Sequence, residues 1–134
     1  MFKLIKIVGE KSSIPEITTM PIDKNASFYL NTIAFLENGM LRTTRENYES
    51  AIYCPIEYVK AGTKDTIKCF KVTSNMLFET GYGGVSPDEF KVGDGLCLYD
   101  NMSLDFAEGN DVYIESLKHL YTRDMFVIRF NIKN

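Results

Sequence analysis

Tryptophan is absent from this sequence, histidine occurs once and cysteine three times. Each scarcity removes a class of function. A Ser-His-Asp or Cys-His catalyst would have to use His119. That residue sits in LKHLY, with no G-x-S-x-G elbow or other nucleophile setting in the chain. Cys54, Cys69 and Cys97 are odd in number and form no C-x-x-C, which argues against a disulfide scaffold or a zinc knuckle. Their neighbours, in Tyr-Cys-Pro, Lys-Cys-Phe and Leu-Cys-Leu, read as settings for small buried hydrophobes in a reducing compartment. No apolar run approaches the roughly eighteen residues of a membrane span. The leading MFKLIKIVGEK is broken by Lys3 and Lys6 and lacks the h-region and cleavage site of a signal peptide. The expectation is a protein made and kept inside a cell, or in a particle assembled there. On that expectation the sequons at Asn25 and Asn101 are chance matches. A basic run is missing too: the net charge is −3, and Arg42, Arg45 and Lys60 make only a sparse patch. The expected partners therefore include neither nucleic acid nor membrane.

What is present points to strands. The 134 residues have the size of a single domain, 1–134, and 45% hydrophobic with 25% charged residues is a globular balance. Nine Phe and eight Tyr suit strands and interfaces better than long helices. Phe2 to Val8 reads as a strand stopped by Gly9. Residues 10–26, with Pro15 and Pro21, read as an irregular arm, long enough to lie along a partner. Ser27 to Leu36 has the composition of a short helix. The Asn38-Gly39 that follows is a strong hairpin signal and pairs Ile33–Leu36 with Met40–Thr43 instead. Thr44 to Ser50 reads as a loop. Ala51 to Val59 reads as a strand whose Pro55 places it at an edge or bulge. Strands are also expected over Thr66–Thr73 and Met76–Thr80, followed by a glycine hinge at Gly81-Tyr82-Gly83-Gly84.

Gly93-Asp94-Gly95 raises the possibility of a nucleotide loop. A dinucleotide fingerprint needs a third glycine where Leu98 stands, and it must open a helix. The residues after Gly95 favour a strand, so this is a turn. Asp111–Ser116 and Met125–Ile132 complete the strands, joined through Leu117–Tyr121, with Phe126, Ile128, Phe130 and Ile132 on one face. The fold class is all-β: a small β-barrel or β-sandwich with an irregular N-terminal arm.

Candidate chemistry is thin. A calcium loop starting at Asp100 would want oxygen ligands where Met102 and Leu104 stand and glycine where Asp105 stands. Asp105, Glu108 and Asp111 then read as solvent-facing charges. Glu16, Glu57 and Glu79 stand alone and give no glycosidase pair. The expectation is no catalytic residue, no metal and no cofactor. Phe28, Tyr29, Tyr48, Tyr53, Tyr58, Phe78, Tyr82 and Tyr99 supply either core and subunit contacts or an aromatic ligand platform.

The order of segments resembles the small head-decoration (capsid-stabilising) proteins of tailed phages and prophages. The resemblance runs over most of the chain. It covers FKLIKI, Ile14-Pro15-Glu16, SFYLNTIAFLENGML, IKCFKVTSNMLFET, FKVGDGLCLYDNMSLDF, DVYIES and MFVIRF. It departs at Asn31, where that pattern has glycine, at Asn101-Met102 in place of Asp-Gly, and at Asp124-Met125 near a usual Gly-Asp. The resemblance implies a virion protein, assembled in the bacterial host cytoplasm and not an enzyme. It would bind the major capsid protein from outside, as a homo-oligomer, with a trimer favoured. It also makes Ile14, Pro15, Glu16 and Ile17 the expected capsid contacts, and Phe78 and Tyr82 are expected contacts of the same kind. The alternative is a small β-rich module that binds carbohydrate or peptide.

Overall fold

A computed structural model describes residues 1–12, 14–81, 87–119 and 124–132. Its strands are β1 (Lys3–Ile7), β2 (Thr18–Pro21), β3 (Ala34–Glu37), β4 (Met40–Arg42), β5 (Ala51–Pro55), β6 (Thr66–Lys71), β7 (Met76–Gly81), β8 (Gly95–Leu98), β9 (Leu104–Glu108), β10 (Val112–His119) and β11 (Asp124–Phe130). One 3-10 turn, Pro87–Glu89, is the only helical element among the described residues. The all-β class expected from the composition is thus observed. The chain divides into two compact units, Met1–Ser13 with Thr73–Asn131, and Ile14–Val72 with Ile132–Asn134.

The 14–72 unit holds a five-stranded sheet in the order β2-β6-β5-β3-β4. One end of it is the β3–β4 hairpin, where Asn38 and Gly39 take φ of 52° and 80°. These values match the mirror-image turn that follows the right-handed strand twist. The sheet curls until its two outer strands meet: Ile22 bridges Leu41, and the Asp23 amide donates to the Leu41 carbonyl at 2.9 Å. Ala34, Leu41, Tyr53, Ile67 and Cys69 fill the inside of this curl together with Ile22, Phe28 and Val59. Phe35, Ile52, Cys54 and Phe70 point the other way and are buried as well. Burial on both faces explains why AIYC runs apolar without alternation.

Two expectations need correction here. The stretch 10–26 is not irregular throughout, because β2 lies inside it and pairs antiparallel with β6 from Thr18↔Cys69 to Pro21↔Thr66. Nor does Pro55 mark an edge or a bulge. It ends β5, the central strand between β3 and β6, and the next amide, that of Ile56, donates to Lys68 at 3.0 Å. Proline is tolerated there because its nitrogen faces away from β6, past the last β3–β5 pair at Ala34↔Tyr53.

The other unit carries an antiparallel six-stranded sheet, β1-β7-β11-β10-β8-β9. Its core face stacks rings edge to face: Phe2 on Phe130 at 5.3 Å and Phe78 on Phe130 at 5.1 Å. Phe126 meets Phe90 at 5.5 Å and Phe106 at 5.6 Å. Cross-strand pairs Ile128↔Phe78 and Val112↔Phe130 keep these side chains in register. Val127, on the face of β11 opposite Phe126 and Ile128, is buried too, whereas Arg129 on that face pairs with Glu115 at 2.6 Å. β10 runs three residues further than expected, to His119, which is a strand residue and not part of a loop.

Candidate interaction surfaces

Ile14, Glu16 and Ile17 are solvent-exposed and Pro15 is half-buried, as the chain runs toward β2. Ile14 keeps 79% of its surface exposed and Ile17 44%. Phe78, by contrast, is fully buried beneath Phe130 and cannot contact a partner unless the sheet opens. That corrects its assignment as a contact residue. Tyr82 and the rest of the expected glycine hinge beyond Gly81 lie outside the described residues.

The aromatic set separates by burial. Phe28, Tyr53 and Phe78 belong to the cores, while Tyr29, Tyr48, Tyr58 and Tyr99 are exposed. Phe28 and Val59 form an isolated antiparallel bridge, exchanging amide hydrogen bonds of 2.8 and 3.0 Å. Both point into the core, so by strand alternation Tyr29 and Tyr58 stand directly opposite each other on the outside. Their ring centroids are 5.1 Å apart with planes 33° from parallel. The ribbon beneath is pinned at several points. Ser27 Oγ accepts from the Ala61 amide at 3.0 Å, Lys24 carbonyl from Gly62 at 2.8 Å, and Thr32 Oγ1 donates to the Tyr29 carbonyl at 2.7 Å. Leu30 beside them is 50% exposed, and Asn31 turns the chain with φ 60°. Rings this close are stacked on one another, not laid side by side. They form an exposed, tilted pair and do not offer the continuous flat platform on which a sugar chain lies.

A second feature escaped the sequence reading. Glu37 closes β3 and is nearly buried, and its Oε1 accepts from the amides of Glu46 (2.9 Å) and Asn47 (2.8 Å) and from Ser50 Oγ (2.8 Å). These bonds fold the 44–50 loop back over the hairpin, where the Arg45 guanidinium lies 4.2 Å from the Tyr48 ring centroid and 5.3 Å from that of Phe35. The amide of Asn47 foremost, then the Ser50 hydroxyl, the Glu46 amide and the Arg42 charge, hold the Glu37 carboxyl below its ordinary value against the opposing effect of burial. A lowered folded-state value means that this stabilisation is complete above the unfolded-state pKa, about 4.3 for Glu, and is lost as pH falls through the folded value. Glu37→Ala strands the two amides, while the Ser50 hydroxyl retains the Asn47 carbonyl at 2.6 Å as acceptor, and should cost about 1.5–3 kcal/mol. Urea unfolding of the variant at pH 7 and pH 3 checks this, because the difference from the parent should shrink at the lower pH.

Cys54 and Cys69 are buried and all three cysteines are free thiols. Burial pushes the Cys54 thiol far up and the Cys69 thiol up to about 11, away from the thiolate a nucleophile needs. Asp100 caps its own turn, accepting from the Met102 amide and Ser103 Oγ at 2.9 Å each, and Asp111 accepts from the Leu98 amide at 2.9 Å. Among the described residues no three His, Cys, Asp or Glu side chains gather as a metal-binding group. An open groove of about 330 Å³ in the six-stranded unit is lined by Glu89, Phe90, Asp94, Gly95, Leu96 and Glu108. No protein-family model matches the chain, and no match is found among curated proteins or solved structures.

Proposed function

We propose that this protein is a non-enzymatic structural component of a phage or prophage virion, a decoration protein that binds the major capsid protein and stabilises the shell as a homo-oligomer. The observation that carries the reading is the 14–17 segment: two isoleucines exposed to solvent immediately before β2, an outer strand of its sheet. Single exposed apolar residues are ordinary. A short apolar segment exposed just ahead of a strand is a natural partner-binding element, since a partner can cover its side chains together. Asn31 adds support. It stands where the decoration pattern has glycine, and it adopts the positive φ that a glycine would serve. The titrations that are displaced by burial and hydrogen bonding favour structure over catalysis, since the two buried thiols are held neutral and Glu37 is occupied by its loop. Several modest contacts per oligomer would clamp neighbouring capsid subunits by avidity.

The test is co-sedimentation with expanded shells assembled from the major head protein encoded in the same genome. Wild type should pellet with the shells. Ile14→Ser combined with Ile17→Ser should weaken binding at least about tenfold, while thermal stability changes by less than about 0.5 kcal/mol because both side chains are exposed. A double variant that pellets like wild type removes the arm from the mechanism. Wild type that never pellets removes the decoration reading, and a glycan array then tests the carbohydrate alternative.

A further inference from the structure

The two edges of the six-stranded sheet are strands of equal length, β1 and β9, each of five residues. Among the described residues no strand pairs with the outer side of either. Such an edge is a row of backbone donors and acceptors, and charged side chains commonly guard it. Here the two guards have opposite signs. Residues 1–9 carry Lys3 and Lys6 and no acid, whereas residues 99–111 carry Asp100, Asp105, Glu108 and Asp111 and no lysine or arginine. Asp100 and Asp111 are tied to nearby amides, while Asp105 and Glu108 are exposed, as are both lysines. The ladders fix the face that each side chain takes. The register slips at Ile5, so Lys3 and Lys6 stand opposite Glu79 and Leu77 on one face, and Leu4 stands opposite Phe78 on the other. Followed across the sheet through Val127, Arg129, Tyr113, Gly95 and Cys97, the lysine face is also the face of Asp105. Phe106, packed on Phe126, shares the face of Leu4, and both are half-buried.

We propose that β1 of a second copy pairs with the open edge of β9 and continues the sheet, its Lys6 opposite Asp105 and its Leu4 opposite Phe106. Three considerations select a second copy as the occupant. Every neighbouring pair in this sheet is antiparallel and there are six strands, so β1 and β9 run in opposite directions. A second copy in the same orientation therefore lays β1 antiparallel on β9, the ladder type of the whole sheet. This register sets lysine beside aspartate on one face and apolar beside apolar on the other, a match that a one-residue slip would destroy. The competing contacts repel: β1 on β1 sets lysine against lysine, and β9 on β9 sets acid against acid. Two different edges meeting make a head-to-tail contact, and such contacts generate closed rings when the rotation closes. The inference rests on the oligomer part of the decoration reading and gives it an interface.

Light scattering on the full chain across a concentration series is the test, joined to hydrogen exchange read by mass spectrometry. Wild type should show a mass that is a multiple of 15.3 kDa, and association should weaken as salt is raised, because exposed charges are screened. Amides of residues 3–7 and 104–108 should exchange at least about tenfold more slowly in the oligomer than in dilute protein, as newly laddered backbone does. Lys6→Glu should raise the dissociation constant at least about tenfold, and Asp105→Lys should do likewise. Lys3 is left in place because it stands opposite Glu79 within its own sheet. The chain carrying both reversals should associate again, a recovery that misfolding cannot produce. Each variant's far-UV spectrum and unfolding midpoint identify one that has failed to fold. A wild type that stays monomeric overturns the inference. So does an oligomer indifferent to the two reversals, one whose edge amides gain no protection, or a doubly reversed chain that stays apart. Co-sedimentation with shells is scored separately, so a monomer that still binds shells refutes this interface and leaves the decoration reading standing.

Discussion

Phe78→Ala should lower the unfolding midpoint on the order of 10 °C or more and leave the association of the surviving folded protein unchanged. Phe78 is fully buried, meets Phe130 edge to face at 5.1 Å, and Phe130 in turn meets Phe2 at 5.3 Å. Removing a buried ring costs about 3–5 kcal/mol, the transfer of its carbons plus the cavity left behind. For a chain of this size each kcal/mol is worth roughly 4 °C. A cavity beneath Phe130 cannot close cheaply, because β7 is held between β1 and β11 by ladders on both sides. Thermal unfolding of dilute protein, with the mass at a permissive temperature, separates the possibilities. A contact role would reduce the mass and spare the midpoint, and that outcome would contradict the packing described for this residue.

The pattern MLFETG already contained this result. Met76, Phe78 and Thr80 alternate with Leu77 and Glu79, and the buried positions are those on the face away from Glu79. Other features were legible for the same local reason. Asn38-Gly39 names its own turn, and the residues after Gly95 name a strand. What the sequence concealed depends on pairing between distant segments. β2 is TTMP, four residues without a clear alternation, and it becomes a strand because β6 offers a partner some fifty residues further on. Tyr29 and Tyr58 meet only through the bridge between Phe28 and Val59. Glu37 precedes the Asn38-Gly39 turn and carries no sequence signal of its role, which lies in amides nine and ten residues away. Pro55 was read through the rule that central strands avoid proline, and the rule yielded at the strand's last residue. The aromatic residues could be counted but not sorted, since core rings and surface rings share the same composition.

Gly95→Ala should be among the most damaging single methyl additions in the chain, costing about 3 kcal/mol or more, and the reason answers the question posed by Gly93-Asp94-Gly95. A Cβ built on Gly95 would lie 2.1 Å from the Gly109 carbonyl oxygen and 3.3 Å from Tyr113 Cε1. The Gly109 amide donates to the Gly95 carbonyl at 3.1 Å, and around this contact Gly93 donates to Ile114 at 2.8 Å and Ile114 to Asp94 at 3.0 Å. The loop is thus closed on protein backbone where a nucleotide loop would close on phosphate. Overpacking a core typically costs about 1–3 kcal/mol when side chains can give way, but here the obstacle is a backbone carbonyl on a residue whose amide is tied to Gly95 itself. Gly109→Ala offers the control. Its Cβ would lie 2.1 Å from Cys97 Sγ, so adding Cys97→Ala should recover much of the loss there, whereas no side-chain truncation relieves the carbonyl clash in Gly95→Ala. Gly39→Ala sets the lower mark. Nothing lies within 4 Å of its Cβ, and only the positive φ of 80° opposes the change, about 1–2 kcal/mol. Urea unfolding of the three alanine variants and the Gly109/Cys97 double variant should rank Gly95→Ala well below Gly39→Ala in stability. If the two lost equal stability, close backbone approach would fail as the reason for glycine at position 95, where φ, unlike that of Gly39, is not positive.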